Sequence, residues 1–359
     1  MLKLDIAHQR LHTQHLTGTR LTIAEEVVEW LGAVQSQDYA GAKWAVAQRT
    51  KGLTDTDLDQ AFATGSILRT HVLRPTWHFV TPADIRWMLA LTAPRVHALN
   101  APYYRKVALD DTVFAQSNAA LIQALQGGQQ LTRAELAAVF EQIGIRVDDP
   151  LRLALLVMQA ELEGIICSGG RRGKQFTYAL LDERAPQARR LERDEALAAL
   201  VKRYFTSHGP ATLKDFVWWS SLTLTDAKVG IDLVKSELVA EEIGDQTFWF
   251  APSTLPAKSP TPQAYLLPNY DEYISYADRS AICDPAYAKQ FYPRENSIFS
   301  HIIVVDGQII GTWQRTVKKS AVVIERSTFR TLTPAEEEAV VAAAHQYAAF
   351  LNLPLMLAA

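Results

Sequence analysis

Residues 131–181 read "LTRAELAAVFEQIGIRVDDPLRLALLVMQAELEGIICSGGRRGKQFTYALL", and their punctuation decides the fold. Thr132 precedes an apolar-periodic run and Glu135 follows three residues later, the spacing of a reciprocal capping box at a helix start. A second helix is predicted over "DPLRLALLVMQAELEGII" (149–166). Two short β runs then flank the tip "GGRRGK". With the helix of "SNAALIQALQ" (117–126) in front, three helices and a hairpin make a winged helix. The helix at 149–166 is apolar on most of its surface, so much of it must face protein.

The pattern recurs downstream. "RDEALAALVKRYFTSHG" (193–209), "PATLKDFVWWSSL" (210–222) and "TLTDAKVGIDLVKSELVAEEIG" (223–244) read as three helices, and "QTFWFAP" (246–252) completes a wing. Recurrence at the level of topology points to an array. The first 110 residues or so fit a third, decorated copy. Residues 4–17 read as a helix, and so does "LTIAEEVVEWLGAVQSQ" (21–37), with Thr22 and Glu25 as its cap. A third opens at Thr54 or Asp55. The segment "THVLRPTWHFV" (70–80) changes to β character, with Pro75 marking an edge strand. A helix follows from Pro82, and Pro94 is expected to kink or end it. After the proline-rich linker "PSTLPAKSPTPQ" (252–263) the chain turns β-rich, with a hairpin at Asp306-Gly307 and a last helix capped by Thr333 and Glu336. The expected fold class is mainly α with β (α+β): tandem winged-helix domains followed by a C-terminal β-rich domain. The expected domains are 1–112, 113–190, 191–251 and 252–359.

Composition sets bounds. Apolar residues make up 48% of the 359, so a packed core is expected rather than disorder. A net charge of −3 argues against coating nucleic acid by bulk charge, but leaves room for a local basic groove. Cys167 and Cys283 stand far apart and suggest neither a disulfide framework nor a metal cluster. His71 and His78 lack further ligands at metal spacing, so no metal and no cofactor are expected. The first residues have no signal-peptide core, and no apolar run approaches the ~20 residues that span a bilayer. The expectation is a cytoplasmic protein without a membrane partner. Phosphate-cradling glycine loops and nucleophile elbows are absent from the sequence.

Two features carry candidate chemistry. Arg171, Arg172 and Lys174 on the first wing would place three cations where phosphates are reached; a solvated loop would look the same. Gln35 and Gln37 flank Ser36 at the edge of an apolar run. Glutamine donates and accepts hydrogen bonds without a useful pKa. On a regular helix these two positions point ~200° apart, so joint action requires the helix to end or distort near Gln35. Two polar residues finishing a helix would read identically.

"LGAVQSQDYAGAKWAVAQR" (31–49), "LRTHVLRPTWHFVTPADIRWML" (68–89), "GPATLKDFVWWSSL" (209–222), "YLLPNYDEYISYADR" (265–279) and "VVDGQIIGTWQR" (304–315) together resemble the AlkZ/YcaQ family of winged-helix DNA glycosylases. The resemblance spans roughly residues 8–350. It implies tandem winged helices in a C shape with a C-terminal β domain, and excision of alkylated purines, with interstrand crosslinks unhooked by some members. The family's motif is glutamine, an aliphatic or small residue, then glutamine or aspartate; here it falls on Gln35 and Gln37, with Ser36 where an aliphatic residue is usual. Gln37 resembles the AlkZ branch; aspartate would mark the other.

The chemistry suits these residue types. A purine alkylated at ring nitrogen 7 or 3 is cationic and leaves without protonation. Catalysis then reduces to placing water and stabilising an oxocarbenium-like transition state, for which two amide oxygens serve. The resemblance thus implies a monomeric, monofunctional glycosylase acting on double-stranded DNA that carries an alkylated purine or crosslink, and inactive on neutral damaged bases such as uracil. Arg74, Trp77 and His78 are candidates to line the site, or else an edge strand with a core Trp. Asp271 and Tyr273 in "NYDEY" either support the glutamines or fix a domain contact. A non-catalytic winged-helix regulator and a protein-interaction scaffold are the competing classes.

Overall fold

The computed structural model describes residues 5–252, 259–291 and 299–358. Half of the linker expected at 252–263, residues 253–258, therefore lies outside the described residues.

Helix α1 (Ile6–Thr13) leads into the first winged-helix unit: α2 (Ala24–Leu31), β1 (Val34–Gln35), α3 (Tyr39–Ala47), α4 (Asp55–Thr64), β2 (Leu68–His71) and β3 (Trp77–Val80). The helix expected over 21–37 stops at Leu31, because Gly32 takes φ +82, a conformation that side-chained residues rarely adopt. The cap also differs from the expected one. Glu26, not Glu25, accepts from the Thr22 N–H, the Thr22 hydroxyl and the Ile23 N–H. Beyond Gly32 the chain is extended, not helical. The strands order β1-β3-β2, so β3 is central rather than an edge, and Pro75 sits outside the ladder in the connection between β2 and β3. Helix α5 (Ile85–Lys106) then runs through both Pro94 and Pro102, so Pro94 does not end it. Its buried face, including Trp87, Met88 and Leu91, belongs to the core that the third unit also builds.

The second unit repeats the order: α6 (Asp111–Leu125), β4 (Leu131–Thr132), α7 (Arg133–Gln142), α8 (Pro150–Leu162), β5 (Ile166–Arg172) and β6 (Gln175–Leu180), with sheet order β4-β6-β5. Thr132 and Glu135 form the expected capping box. Short α9 (Leu181–Arg184) leads to the third unit, made of α10 (Arg193–Ser207), α11 (Leu213–Ser220), α12 (Leu224–Val234), β7 (Val239–Ile243) and β8 (Gln246–Phe250). There the short strand shrinks to one bridge, Ala211 to Trp249. Its wing begins at Val239, inside the segment expected to be helical.

The C-terminal domain is a five-stranded sheet of order β13-β12-β11-β10-β9, made of β9 (Ala264–Leu267), β10 (His301–Val305), β11 (Gln308–Val317), β12 (Val322–Thr328) and β13 (Leu355–Leu357). Short α13 (Ala288–Phe291) precedes β10. Asp306 and Gly307, at φ +48 and +83, make the tight turn between β10 and β11. Helix α14 (Pro334–Phe350) is capped by Thr333 and Glu336 and buries Val340, Ala344 and Tyr347. These residues join Trp44 and Val46 of α3 in one core. Trp44 seals that seam by donating to the Leu266 carbonyl at 2.7 Å. Tandem winged helices with a C-terminal β-rich domain make up the mixed α+β fold.

Candidate active site

Gln35 ends β1, an outer strand of its sheet, and Gln37 lies two residues on. Extended backbone alternates its side chains, so residues two apart face the same way. The convergence that a helix forbids is thereby allowed. The ladder next to them closes with unusual partners. Ser36 N–H donates to the Trp77 carbonyl at 2.8 Å. The Ser36 carbonyl turns instead to Arg69, accepting from Nε and Nη2 at 3.2 Å each. Trp77 N–H reaches the Gln37 side-chain oxygen, at 3.5 Å. Buried Arg69 lies over the Trp77 ring at 4.2 Å and the Phe176 ring at 4.4 Å, so the second unit's wing braces the motif from beneath.

The two amides differ in freedom. Gln35 is half-buried, and its Oε1 accepts from Arg74 Nη2 at 2.9 Å. This bond sets which end of the amide faces Arg74 and leaves one lone pair on the oxygen and the NH2 group for other partners. Gln37 is exposed and, among the described residues, is held by the long contact to Trp77. The same Arg74 nitrogen lies 3.3 Å from His78 Nε2, and His78 Nδ1 lies 2.9 Å from the Thr76 carbonyl. This network assigns a neutral imidazole with its proton on Nδ1. Burial, reinforced by the Arg74 charge, pushes His78 down to about 3, which agrees. Arg74, Trp77 and His78 thus gather with the glutamines.

A carboxylate that the sequence reading passed over completes the cluster. Glu272, in a one-turn 3-10 segment after β9, is fully buried. Its Oε1 accepts from the Gln35 N–H at 3.1 Å. Its Oε2 accepts from Trp219 Nε1 at 2.9 Å and lies 3.2 Å from His208 Nε2. Burial alone would raise this acid, but His208, Arg74 and the Gln35 N–H outweigh it and hold Glu272 at about 2. Burial lowers His208, although Glu272 pulls the other way. The direction we adopt is a neutral His208 donating from Nε2, with Nδ1 facing the Ser207 hydroxyl at 2.8 Å.

The remaining candidates disperse. Asp271, one residue before Glu272, turns away from the glutamines. It accepts from Arg49 at 2.7 and 2.9 Å and from the Tyr273 N–H at 2.9 Å. Tyr273 is buried and donates to the Gly307 carbonyl at 2.9 Å. On the wing, Arg172 pairs with Glu135 at 2.7 Å, and Arg171 lies over Tyr39 and 3.8 Å from Asp59. Lys174 stands exposed at the turn. The tandem tryptophans of "DFVWWSSL" split: Trp219 goes inward to Glu272, while Trp218 is 37% exposed with the Arg74 and Arg279 guanidinium carbons each 5.0 Å from its ring. The sequence signal for Glu272 was one of two adjacent acids inside the aromatic run "YDEYISY", and acids are mostly exposed.

Comparisons with known proteins bear on the fold and the family. A family model described as DNA glycosylase AlkZ-like matches residues 28–350. A Streptomyces sahachiroi protein described as an interstrand DNA cross-link repair glycosylase is 24% identical over 318 residues, 85% of each chain. The solved structure of Streptomyces sahachiroi DNA glycosylase AlkZ superposes with a TM-score of 0.81 at 22% identity, covering 99% of this chain and 98% of that one. The chain belongs to the AlkZ-like DNA glycosylase family.

Proposed function

We propose that this member of the AlkZ-like DNA glycosylases hydrolyses the N-glycosidic bond of cationic alkylated purines in double-stranded DNA, with Gln35 and Gln37 as its catalytic residues. The observation that carries the reading is the protonation inventory around the two amides. Glu272 sits at about 2, His78 at about 3, and His208 below its ordinary value, so none of them holds a proton to give at neutral pH. A neutral base would need that proton to leave; a purine alkylated at nitrogen 7 or 3 does not. Its C1′–N9 bond breaks with the electron pair going to the cationic base, which departs neutral. Water then adds at C1′ of the oxocarbenium sugar and loses its proton to solvent.

The glutamines divide this work. Gln35, clamped by Arg74, presents the remaining lone pair of Oε1 toward the sugar. Gln37, exposed and weakly held, orients the water. Neutral amide oxygens stabilise developing positive charge without competing for a proton. Among the described hydrogen bonds of the two glutamines no lysine takes part, which favours a monofunctional enzyme without Schiff-base chemistry. Arg74, Trp77 and the exposed Lys174 are read as DNA contacts, with Arg171 and Arg172 shaping the wing. In the same proposal the enzyme acts as a monomer at the nucleoid in the cytoplasm.

The Streptomyces relative's description as a cross-link repair glycosylase, together with the exposed Gln37, extends the proposal to interstrand crosslinks through cationic purines. The test is base release from a duplex carrying one 7-methylguanine, followed by alkali to cut abasic sites. Wild type is expected to cut and Gln37→Ala to lose turnover while still binding DNA. If neither cuts this duplex nor unhooks a nitrogen-mustard crosslink, the catalytic assignment fails and a DNA-binding regulator takes its place.

A further inference from the structure

We propose that Glu272 is the positioning residue of the site: a buried carboxylate that substitutes for a missing neighbour strand at Gln35 and locks the catalytic segment to two other parts of the chain. The proposal rests on the glycosylase reading above and adds a residue to it.

In β1 and β3, Gln35 lies opposite His78, and Ser36 N–H bonds to the Trp77 carbonyl. Antiparallel ladders alternate bonded and non-bonded pairs. With 36 opposite 77 as a bonded pair, Gln35 belongs to a non-bonded one, and its backbone N–H points away from β3 to the open edge. In a sheet of order β1-β3-β2 no strand lies on that side. An edge N–H in the interior must find another acceptor. Glu272 Oε1 supplies it at 3.1 Å.

The other oxygen is equally committed, to Trp219 of α11 and to His208 just after α10. The carboxylate therefore ties the first unit, the third unit and the C-terminal domain together at the backbone of the catalytic glutamine. The rest of the Glu272 residue is anchored too, its carbonyl accepting from Gln14 Nε2 at 3.2 Å. Three N–H donors converge on one anion, and each would be orphaned without it. Glu272 has no exposed surface and does not face substrate, so its contribution is the placement of Gln35.

The test compares single-turnover rates at saturating enzyme on the 7-methylguanine duplex. Glu272→Ala is expected to lower the rate by roughly 100-fold, the scale of a 1 Å misplacement, with the half-saturating enzyme concentration changed less than about threefold. Trp219→Phe removes one donor to Oε2, keeps a smaller aromatic ring in its place, and serves if the alanine variant does not fold; it is expected to lose about fivefold. Leu136→Ala, in the separate core of the second unit, matches a loss of stability without touching the network. Hydrogen exchange of the peptide spanning 33–37 gives a readout without turnover: the Gln35 amide should exchange faster in both Glu272 and Trp219 variants, and not in Leu136→Ala. Rates per folded molecule no lower than in Leu136→Ala, or unchanged exchange at Gln35, overturn the proposal. An inactive wild type would instead sink the glycosylase reading and leave the exchange result to decide the role of Glu272.

Discussion

Asp271 and Glu272 are adjacent acids with opposite expected phenotypes, and Asp271→Asn separates them. Asp271 is fully buried and meets Arg49, which is 1% exposed, through two charge-assisted bonds of 2.7 and 2.9 Å. Arg49 is otherwise held by the Gln14 side chain and the carbonyls of Gln14 and Ala45. An amide at 271 keeps the shape but removes the charge and turns an NH2 group toward the guanidinium. Removing one partner of a buried ion pair costs about 3–5 kcal/mol, and for a chain of this size each kcal/mol moves Tm by roughly 2–4 °C. The expected fall is therefore on the order of 10 °C, read by thermal melting and by urea midpoints. Asp271 contacts neither glutamine, so the rate per folded molecule on the 7-methylguanine duplex should hold within about twofold, a margin we set from the worth of a single neutral contact. Arg49→Met alone should cost a similar amount. The double variant with Asp271→Leu should recover much of the loss, because the uncompensated charge is gone. A loss under about 1 kcal/mol, on the scale of an exposed pair, or a rate that collapses while the protein stays folded, would refute this assignment and move Asp271 into the site.

Other perturbations have equally definite signs. His78, at about 3 when folded and near 6.5 when unfolded, makes stability fall as pH drops from about 6.5 to 3, because only the unfolded chain takes up that proton. Glu272, at about 2 against an ordinary 4.5, adds a further fall between about 4.5 and 2, so urea midpoints should decline from pH 7 to pH 4 and stay level above 7 as far as these groups decide. Gly41→Ala puts a methyl group 2.6 Å from Asp38 Oδ2 and 3.1 Å from Pro268, displacing the α3 cap and the Arg315–Asp38 pair; helix-cap losses run to about 1–2 kcal/mol, so melting should drop by a few degrees. Lys174→Gln should weaken binding to all duplex sequences and reduce the salt slope by about one. Arg172→Gln, already neutralised by Glu135, should change that slope less, as titrations across salt concentrations would show.

The array of winged helices was legible because capping residues punctuate it: Thr132 and Thr212 each sit where their helix begins, as Thr333 does for the last helix of the C-terminal domain. The candidate catalytic segment was not. "EEVVEWLGAV" keeps a helical apolar period up to Val34, and a two-residue strand carries no period of its own. Gly32 was the available stop signal, and its positive φ is what ends the helix. Pro75 was tied to the wrong feature: it breaks the chain between β2 and β3, leaving β3 free to take the central position. Pro94 was overridden by tertiary packing, since α5 is buried on both sides of it at Ala93 and Val96. The local pattern placed Gln35 and Gln37 but not Glu272, because a residue 237 positions away in sequence supplies the partner for Gln35.

That distance bears on how the site is built. A neutral amide is a weak instrument unless its position is fixed, since it brings neither charge nor proton to the reaction. Here the fixing is distributed. Arg74 orients the Gln35 side chain, Arg69 takes the Ser36 carbonyl, and Glu272 takes the Gln35 N–H. Each anchor is itself buried or stacked on an aromatic ring, and they come from two separate stretches of chain, the β2–β3 hairpin and the segment after β9. The same anchors keep ionisable groups near the amides locked in one protonation state: Glu272 charged, His78 neutral. Rigidity and the lack of a proton donor thus share one origin, a buried and hydrogen-bonded support beneath two amides. Under the proposed chemistry, an enzyme so built gains its rate from placement alone, and the lesion must bring its own positive charge.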